Sequence, residues 1–118
     1  QVYELRRSVE AEAQGERPTL QYYTSLFSLW KRIDYLTSFR PVCPIDAKNF
    51  KEYIESERIF KFLAGLNSEF DQVRSRVLGV EPLPSLREAF AYVQNEESRR
   101  SSMLPQSGAN RSALVFLG

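Results

Sequence analysis

The side chains that most often carry enzyme chemistry are scarce in this sequence. It contains no histidine, the commonest general base and metal ligand, and Cys43 is its only cysteine. One cysteine without histidine forms neither a structural zinc site nor an internal disulfide. The glycines are scattered, so no glycine-rich phosphate loop is present. We therefore predict no catalytic residues, no metal, no cofactor and no small-molecule substrate.

Carboxylates are plentiful, but they are interleaved with basic side chains. Glu52, Glu55 and Glu57 lie between Lys51 and Arg58. Two neighbouring carboxylates can share general acid and general base roles when their pKa values are pushed apart. Ion pairs on a solvated helix face are much commoner than such sites. We therefore interpret this segment as the outer face of a helix.

The charge balance and the cysteine content limit the partners and the location. Lys and Arg total 16 against 15 Asp and Glu, which gives a net charge of +1. A domain so nearly neutral lacks the electrostatic footprint of strong nucleic-acid binding. The apolar runs are also far shorter than the roughly 20 residues of a membrane helix. We predict a cytoplasmic protein that does not bind membranes and associates with RNA only weakly or indirectly.

The spacing of apolar residues predicts an all-α fold, a compact bundle of about five helices over residues 1–100. The predicted helices span 2–13, 18–36, 47–64, 68–78 and 85–100. Gly15 is placed to end the first helix in a left-handed cap conformation. Gly65 is placed as the C-terminal cap of the third helix, with Leu66 folding back onto Phe60. Ser85 and Glu88 have the spacing of a capping box at the start of the fifth helix. Residues 101–118 have the composition of a flexible linker or tail.

Several short patterns follow one another in a fixed order. They are Gln14-Gly15 before Leu20, Tyr23 and Phe27, then Phe62-Leu63-Ala64-Gly65-Leu66-Asn67, Pro82-Leu83-Pro84-Ser85-Leu86 and Glu96-Glu97. In this order they resemble the gag polyprotein of copia-type LTR retrotransposons, in particular the C-terminal lobe of a capsid protein. The resemblance implies that Gln14 makes a structural hydrogen bond in its turn. It also implies that Leu20, Tyr23 and Phe27 belong to the core.

By the same resemblance, the third helix is the one through which capsid lobes pair. Its candidate interface residues are four large apolar side chains: Ile59, Phe60, Phe62 and Leu63. Neighbours on a helix lie about 100° apart, so these four cannot all face one narrow core stripe. Whether they line a broad core or an interface between copies remains open from the sequence.

The function favoured by these observations is a structural one. We expect a gag capsid-like domain that forms homo-oligomers through its helical lobe and assembles into a retrotransposon particle. The alternative is a host-adopted, gag-derived protein-interaction module. A third possibility is a helical nucleic-acid-binding domain that uses the arginines Arg6, Arg7, Arg74, Arg76, Arg99 and Arg100. An enzyme ranks last, because no nucleophile lies beside a base.

Overall fold

The computed structural model describes residues 1–37 and 44–103 and arranges them as helices joined by turns. The α-helices in these ranges are α1 (Val2–Ala11), α2 (Thr19–Thr37), α3 (Pro44–Ala64), α4 (Asp71–Leu78) and α5 (Leu86–Met103). One 3-10 turn, Ser68–Phe70, leads directly into α4. The described residues contain five α-helices and no strand, so the predicted all-α fold is confirmed.

Two helices extend beyond their predicted limits. α3 begins at Pro44 rather than at residue 47, since a proline is tolerated in the first turn, where its missing N–H has no partner to lose. α5 continues through residues 101–103, which the composition assigned to a linker. Its last turn is supported by side chains, because Arg99 Nη1 donates to Met103 Sδ over 3.1 Å and Ser102 Oγ donates to the Arg99 carbonyl over 3.1 Å. Cys43 and the rest of the predicted tail, 104–118, lie outside the described residues.

α1 is shorter than the sequence predicts, since it ends at Ala11 and not at residue 13. Glu12 adopts an extended conformation with φ −69° and ψ 136°. The Lys61 ammonium group on α3 donates to the carbonyls of Glu10 over 3.2 Å and of Glu12 over 2.9 Å. A cation at this position satisfies terminal carbonyls that no further helical turn would reach. A tertiary contact therefore accompanies the early end of α1.

The core forms where α2, α3 and α5 meet. α2 buries Tyr22, Leu26, Trp30 and Ile33, which recur at spacings of three and four and therefore lie on one face. The Phe62 ring of α3 lies 5.6 Å from Tyr22, 5.5 Å from Tyr23 and 6.3 Å from Phe90 between ring centroids. The remaining buried apolar residues are Leu5, Val9, Ile59, Leu63, Leu66, Phe70, Val73, Val77, Leu86, Ala89 and Val93.

Side chains cap the starts of several helices, and two of these side chains belong to a different helix from the one they cap. The predicted capping box is present, because Glu88 N donates to Ser85 Oγ over 3.1 Å and Ser85 N donates to Glu88 Oε1 over 2.9 Å. Glu55 of α3 accepts from Leu86 N over 2.9 Å at the start of α5. These bonds orient α5 against α3 as well as capping it.

Glu97 of α5 plays the same role for α2. Its two carboxylate oxygens accept from Thr19 N over 3.1 Å and from Thr19 Oγ1 over 2.6 Å. A carboxylate at a helix N-terminus also interacts favourably with the helix dipole. The start of α2 is therefore tied to a residue 78 positions later in the sequence.

Candidate self-association surface

The Gln14-Gly15 pair forms a tight turn between α1 and α2. Arg17 N donates to the Gln14 carbonyl over 3.1 Å, which closes the turn, and Gly15 has φ +59°, in the left-handed region. The sequence predicted this conformation for Gly15 but as the cap of α1. That role was wrong, because α1 ends four residues earlier at Ala11.

Gln14 joins this turn to the end of α3. Its side chain is 3% exposed, its Nε2 donates to the Arg17 carbonyl over 3.0 Å, and its Oε1 accepts from Asn67 N over 3.1 Å. Its own backbone N–H donates to the Gly65 carbonyl over 2.9 Å. Asn67 Nδ2 returns a bond of 2.7 Å to the Gly15 carbonyl. These backbone and side-chain groups are hydrogen-bonded to one another, so the turn is attached to the end of α3. The Gln14 side chain makes the structural hydrogen bond that the resemblance implies.

Gly65 follows the last residue of α3, as predicted for its cap, and its N–H donates to the Lys61 carbonyl over 3.2 Å. Among the described glycines only Gly15 has a positive φ, so the cap at Gly65 is not left-handed. A Cβ atom at Gly65 would overlap the Tyr22 hydroxyl, which donates to the carbonyls of Phe62 over 3.1 Å and Lys61 over 3.3 Å. Glycine is therefore needed here for space. Burial raises the pKa of Tyr22 to about 12, as expected for an enclosed phenol.

The cap predicted after α3 differs in its apolar partner. Leu66 is buried in the core, whereas Phe60 lies outside the core and is 45% exposed. The end of α3 is instead held by Arg74 of α4, which donates to the carbonyls of Leu63 over 3.1 Å and Leu66 over 2.9 Å. A guanidinium group serves the terminal carbonyls that a left-handed residue would have satisfied.

Glu12 adds a charged contact to the joint between α1 and α2. Its carboxylate accepts from Arg17 Nη2 over 2.8 Å and from Ser25 Oγ over 2.9 Å. Burial alone would raise the pKa of Glu12, but the hydrogen bonds from Arg17 and Ser25 outweigh it and hold the pKa below its ordinary value. The pair stabilises the fold, because both partners are used within the chain.

Two of the three α2 residues expected in the core are exposed instead. Leu20 is 53% exposed and Phe27 is 43% exposed, so that expectation was wrong for both. Tyr23 is half-buried and stacks on Phe90 with ring centroids 4.2 Å apart. The buried face of α2 is centred between Tyr22 and Leu26, and residues one position further along point about 100° away from it. The apolar residues of α2 cover so much of its circumference that sequence alone did not identify the buried side.

The four candidate interface residues on α3 divide in a similar way. Ile59, Phe62 and Leu63 are at most 1% exposed and belong to the core, so the interface role considered for them was wrong. A packed side chain of this kind cannot reach a partner without unfolding the lobe. Phe60 alone lies on the surface, at 45% exposure. The surface accessible to a partner is therefore on the opposite side of α3 from these three residues.

A row of exposed residues runs along that side of α3, and we call it the α3 outer face. Its members are Asp46, Phe50, Tyr53, Glu57 and Phe60, at alternating spacings of four and three. Such spacing places side chains on one stripe of a helix. The three aromatic residues keep between 41% and 60% of their surface exposed. The sequence analysis missed Phe50 and Tyr53, although their helical spacing to Phe60 was a usable signal.

The α3 outer face borders a groove formed with α1 and α2. This groove has a volume of about 540 Å³, and Tyr53 and Phe60 lie along its α3 side. Val9 of α1 and Trp30 of α2 lie across from them. Arg58 stands above the Trp30 ring, 5.5 Å from its centroid. Arg6, Glu10 and Lys61 also line the groove, which therefore combines aromatic and charged side chains, as contact surfaces for other proteins do.

In the part of the chain that the structure describes, no group of three or more acidic, histidine or cysteine residues is arranged to hold a metal ion. No helix within residues 1–37 and 44–103 is long and apolar enough to cross a bilayer.

Compared with models of protein families, with curated proteins and with solved structures, the chain matches none of them significantly. Any proposal of a function therefore depends on the sequence and geometry of this chain.

Proposed function

We propose that this domain is a structural assembly protein, a gag capsid-like lobe that self-associates within its parent polyprotein to build a retrotransposon particle in the cytoplasm. The ordered motifs of the sequence support the proposal, together with the five-helix lobe and the Gln14 turn that closes it. No catalytic role is proposed for any residue. The host-adopted module remains the alternative, and it would use the same surface with a different partner.

The observation that carries the proposal is the α3 outer face. Tyr53 and Phe60 are 60% and 45% exposed on a single stripe of α3, with the exposed Glu57 between them. Aromatic residues are enriched at protein interfaces and seldom line a solvated helix face in a row. Covering an aromatic side chain removes at most roughly 150–250 Å² of surface from water, and a half-exposed one about half of that. At about 25 cal/mol per Å², each ring would contribute about 2–3 kcal/mol to a contact.

Contributions of this size give a weak contact between two copies. Association costs about 4–15 kcal/mol of translational and rotational freedom, which consumes most of the gain from a few rings. A shell repeats the same contact many times, and multivalency then supplies the overall stability. Weak, repeated pairing is the behaviour expected of an assembly lobe.

The nucleic-acid alternative is disfavoured by what three of its six arginines do. Arg74 donates to the carbonyls at the end of α3, and Arg99 and Arg100 both pair with Glu96, at 2.7 and 3.2 Å. Arg100 also donates to the Glu69 carbonyl over 3.1 Å. Side chains committed to the fold offer little to phosphate groups, which need accessible cations.

The proposal is tested by measuring molar mass with light scattering across a concentration series. We expect the wild-type chain to exceed its monomer mass of 13.7 kDa increasingly with concentration. The double variant Tyr53→Gln with Phe60→Gln should remain monomeric, because it removes aromatic surface from the α3 outer face without adding charge. Circular dichroism establishes that the variant keeps its helices.

The matched control is the double variant Leu78→Gln with Tyr92→Gln. Leu78 is 46% exposed on α4 and Tyr92 is 39% exposed on α5, where it lines a different groove with residues 80–84. This control should associate like the wild type. A wild-type chain that stays monomeric at millimolar concentration would refute self-association and favour a module that binds another protein.

A further inference from the structure

A second exposed apolar surface lies on α2 and α5, and we call it the α2–α5 face. It consists of Leu20, Phe27 and Lys31 on α2 together with Arg87 on α5, all of them exposed. The α2 members recur at spacings of seven and four, so they share one stripe of the helix. This stripe holds the two residues that were expected in the core.

The α2–α5 face rests on a packed aromatic layer. Tyr23 stacks on Phe27 with centroids 6.0 Å apart and on Phe90 with centroids 4.2 Å apart. The Lys31 ammonium group lies 5.6 Å from the Phe27 centroid, within range of a cation–π interaction. Side chains held in this way lose little further conformational entropy when a partner covers them.

The α2–α5 face carries two exposed cations. Lys31 and Arg87 form no ion pair with any residue of the described ranges. Of the nearby carboxylates, Asp34 pairs with Arg58 at 2.6 Å, and Glu55 and Glu97 cap α5 and α2, where each lies at the positive end of a helix dipole. Apolar surface flanked by two cations therefore defines this face.

The α3 outer face carries two exposed carboxylates instead. Asp46 and Glu57 lie on the same stripe as its aromatic residues, and neither forms an ion pair within residues 1–37 and 44–103. Of the basic residues beside this stripe, Lys61 donates to the carbonyls of Glu10 and Glu12, and Arg58 pairs with Asp34. The two faces are thus alike in apolar content and complementary in charge.

We propose that the α2–α5 face of one copy docks on the α3 outer face of a second copy. This inference rests on the proposed self-association and specifies its geometry. Two α3 outer faces brought together would place the acidic groups of both copies in one interface, whereas the heterologous contact sets Lys31 and Arg87 against Asp46 and Glu57. Such a contact leaves the pair with one unused face of each kind, one on each copy, so it continues into a ring or an open chain.

Two blocked variants test the docking. One carries Tyr53→Gln and Phe60→Gln on the α3 outer face, and the other carries Leu20→Gln and Phe27→Gln on the α2–α5 face. Each variant alone should sediment as a monomer at a concentration where the wild type associates. Their equimolar mixture should form a dimer of twice the 13.7 kDa chain mass that grows no further, because each variant retains the face that the other lacks.

Exchanging charged residues between the two faces provides a second test of the docking, which does not depend on apolar packing. Glu57→Lys and Lys31→Glu should each weaken wild-type association at least threefold, and a chain carrying both changes should recover most of that loss. Added salt should weaken association of the wild type and of the doubly changed chain alike, since exposed charges are screened.

The outcomes separate this inference from the proposed function. If the variant blocked at the α3 outer face is monomeric while the one blocked at the α2–α5 face still dimerises, α3 pairs with α3, and the docking is refuted while self-association stands. A mixture that remains monomeric refutes the docking as well. A wild type that never associates refutes the proposed function itself.

Discussion

Replacement of Gly65 by alanine tests the close packing between α3 and α2. The new Cβ would overlap the Tyr22 hydroxyl and approach Tyr22 Cζ to 2.9 Å. Tyr22 is completely buried and its ring packs on Phe62 with centroids 5.6 Å apart, so it cannot move aside without disturbing the core. We therefore expect a destabilised but folded variant.

The expected change in the free energy of unfolding combines two losses and one gain. Overpacking a dense core costs about 1–3 kcal/mol. A displaced Tyr22 hydroxyl would also lose its bond to the Phe62 carbonyl, at about 1 kcal/mol net. Because φ at Gly65 is not left-handed, alanine returns about 0.4–1 kcal/mol by restricting the unfolded chain. The balance is a loss of about 1–3.5 kcal/mol, or a Tm lower by roughly 5–25 °C for a domain of this size.

The assay is urea unfolding followed by circular dichroism, with a double-mutant cycle. Tyr22→Phe removes the overlapping hydroxyl, so Gly65→Ala should cost at least about 1 kcal/mol less in that background than in the wild type. The rescue is incomplete because Cζ remains close. Gly79→Ala is the control, since a Cβ there would meet only the carbonyl oxygens of Ser75 at 3.4 Å and Arg76 at 3.7 Å, both ordinary van der Waals distances. Additive losses, or a Gly65→Ala variant as stable as the wild type, would refute the steric explanation.

Three further predictions concern the polar contacts that hold the helices together. Gln14→Leu should cost about 1–3 kcal/mol in urea unfolding, because the part-buried Arg17 carbonyl and Asn67 N–H lose their partner, whereas exposed Gln21→Leu should change stability by less than about 0.5 kcal/mol. Glu97→Ala should cost about 1–2 kcal/mol by uncapping α2, and equal stability of this variant and the wild type would contradict the cap. Glu12→Gln tests a pH dependence: a lowered folded pKa means that the carboxylate stabilises the fold above its ordinary pKa of 4.5 and loses this effect as the pH falls through the folded value. The stability difference between wild type and Glu12→Gln should therefore be present at pH 7 and vanish in strong acid, and a difference independent of pH would contradict the assignment.

Local signals in the sequence predicted most of the helices correctly. The capping box at Ser85 and the left-handed Gly15 each follow from the conformational preferences of one or two residues, and both are present. The end of α1 was not predictable in the same way, because it coincides with a bond from Lys61, which is about 50 positions away in the sequence. Local preference says nothing about such distant partners.

The candidate surface was harder to predict than the fold. α2 carries apolar residues around most of its circumference, so periodicity did not show that Leu20 and Phe27 are exposed. On α3, the residues predicted as candidate interface included Ile59, Phe62 and Leu63, which belong to the core. Which side of a helix is buried depends on where its neighbours pack, and a single sequence does not contain that information directly.

The central claim, self-association through the α3 outer face, is tested most directly by amide NMR spectra recorded over a dilution series. We predict that the signals of Tyr53, Glu57 and Phe60 shift or broaden as concentration rises, while those of the groove beside residues 80–84 stay constant. Spectra that do not change with concentration, or changes confined to that groove, would contradict the account.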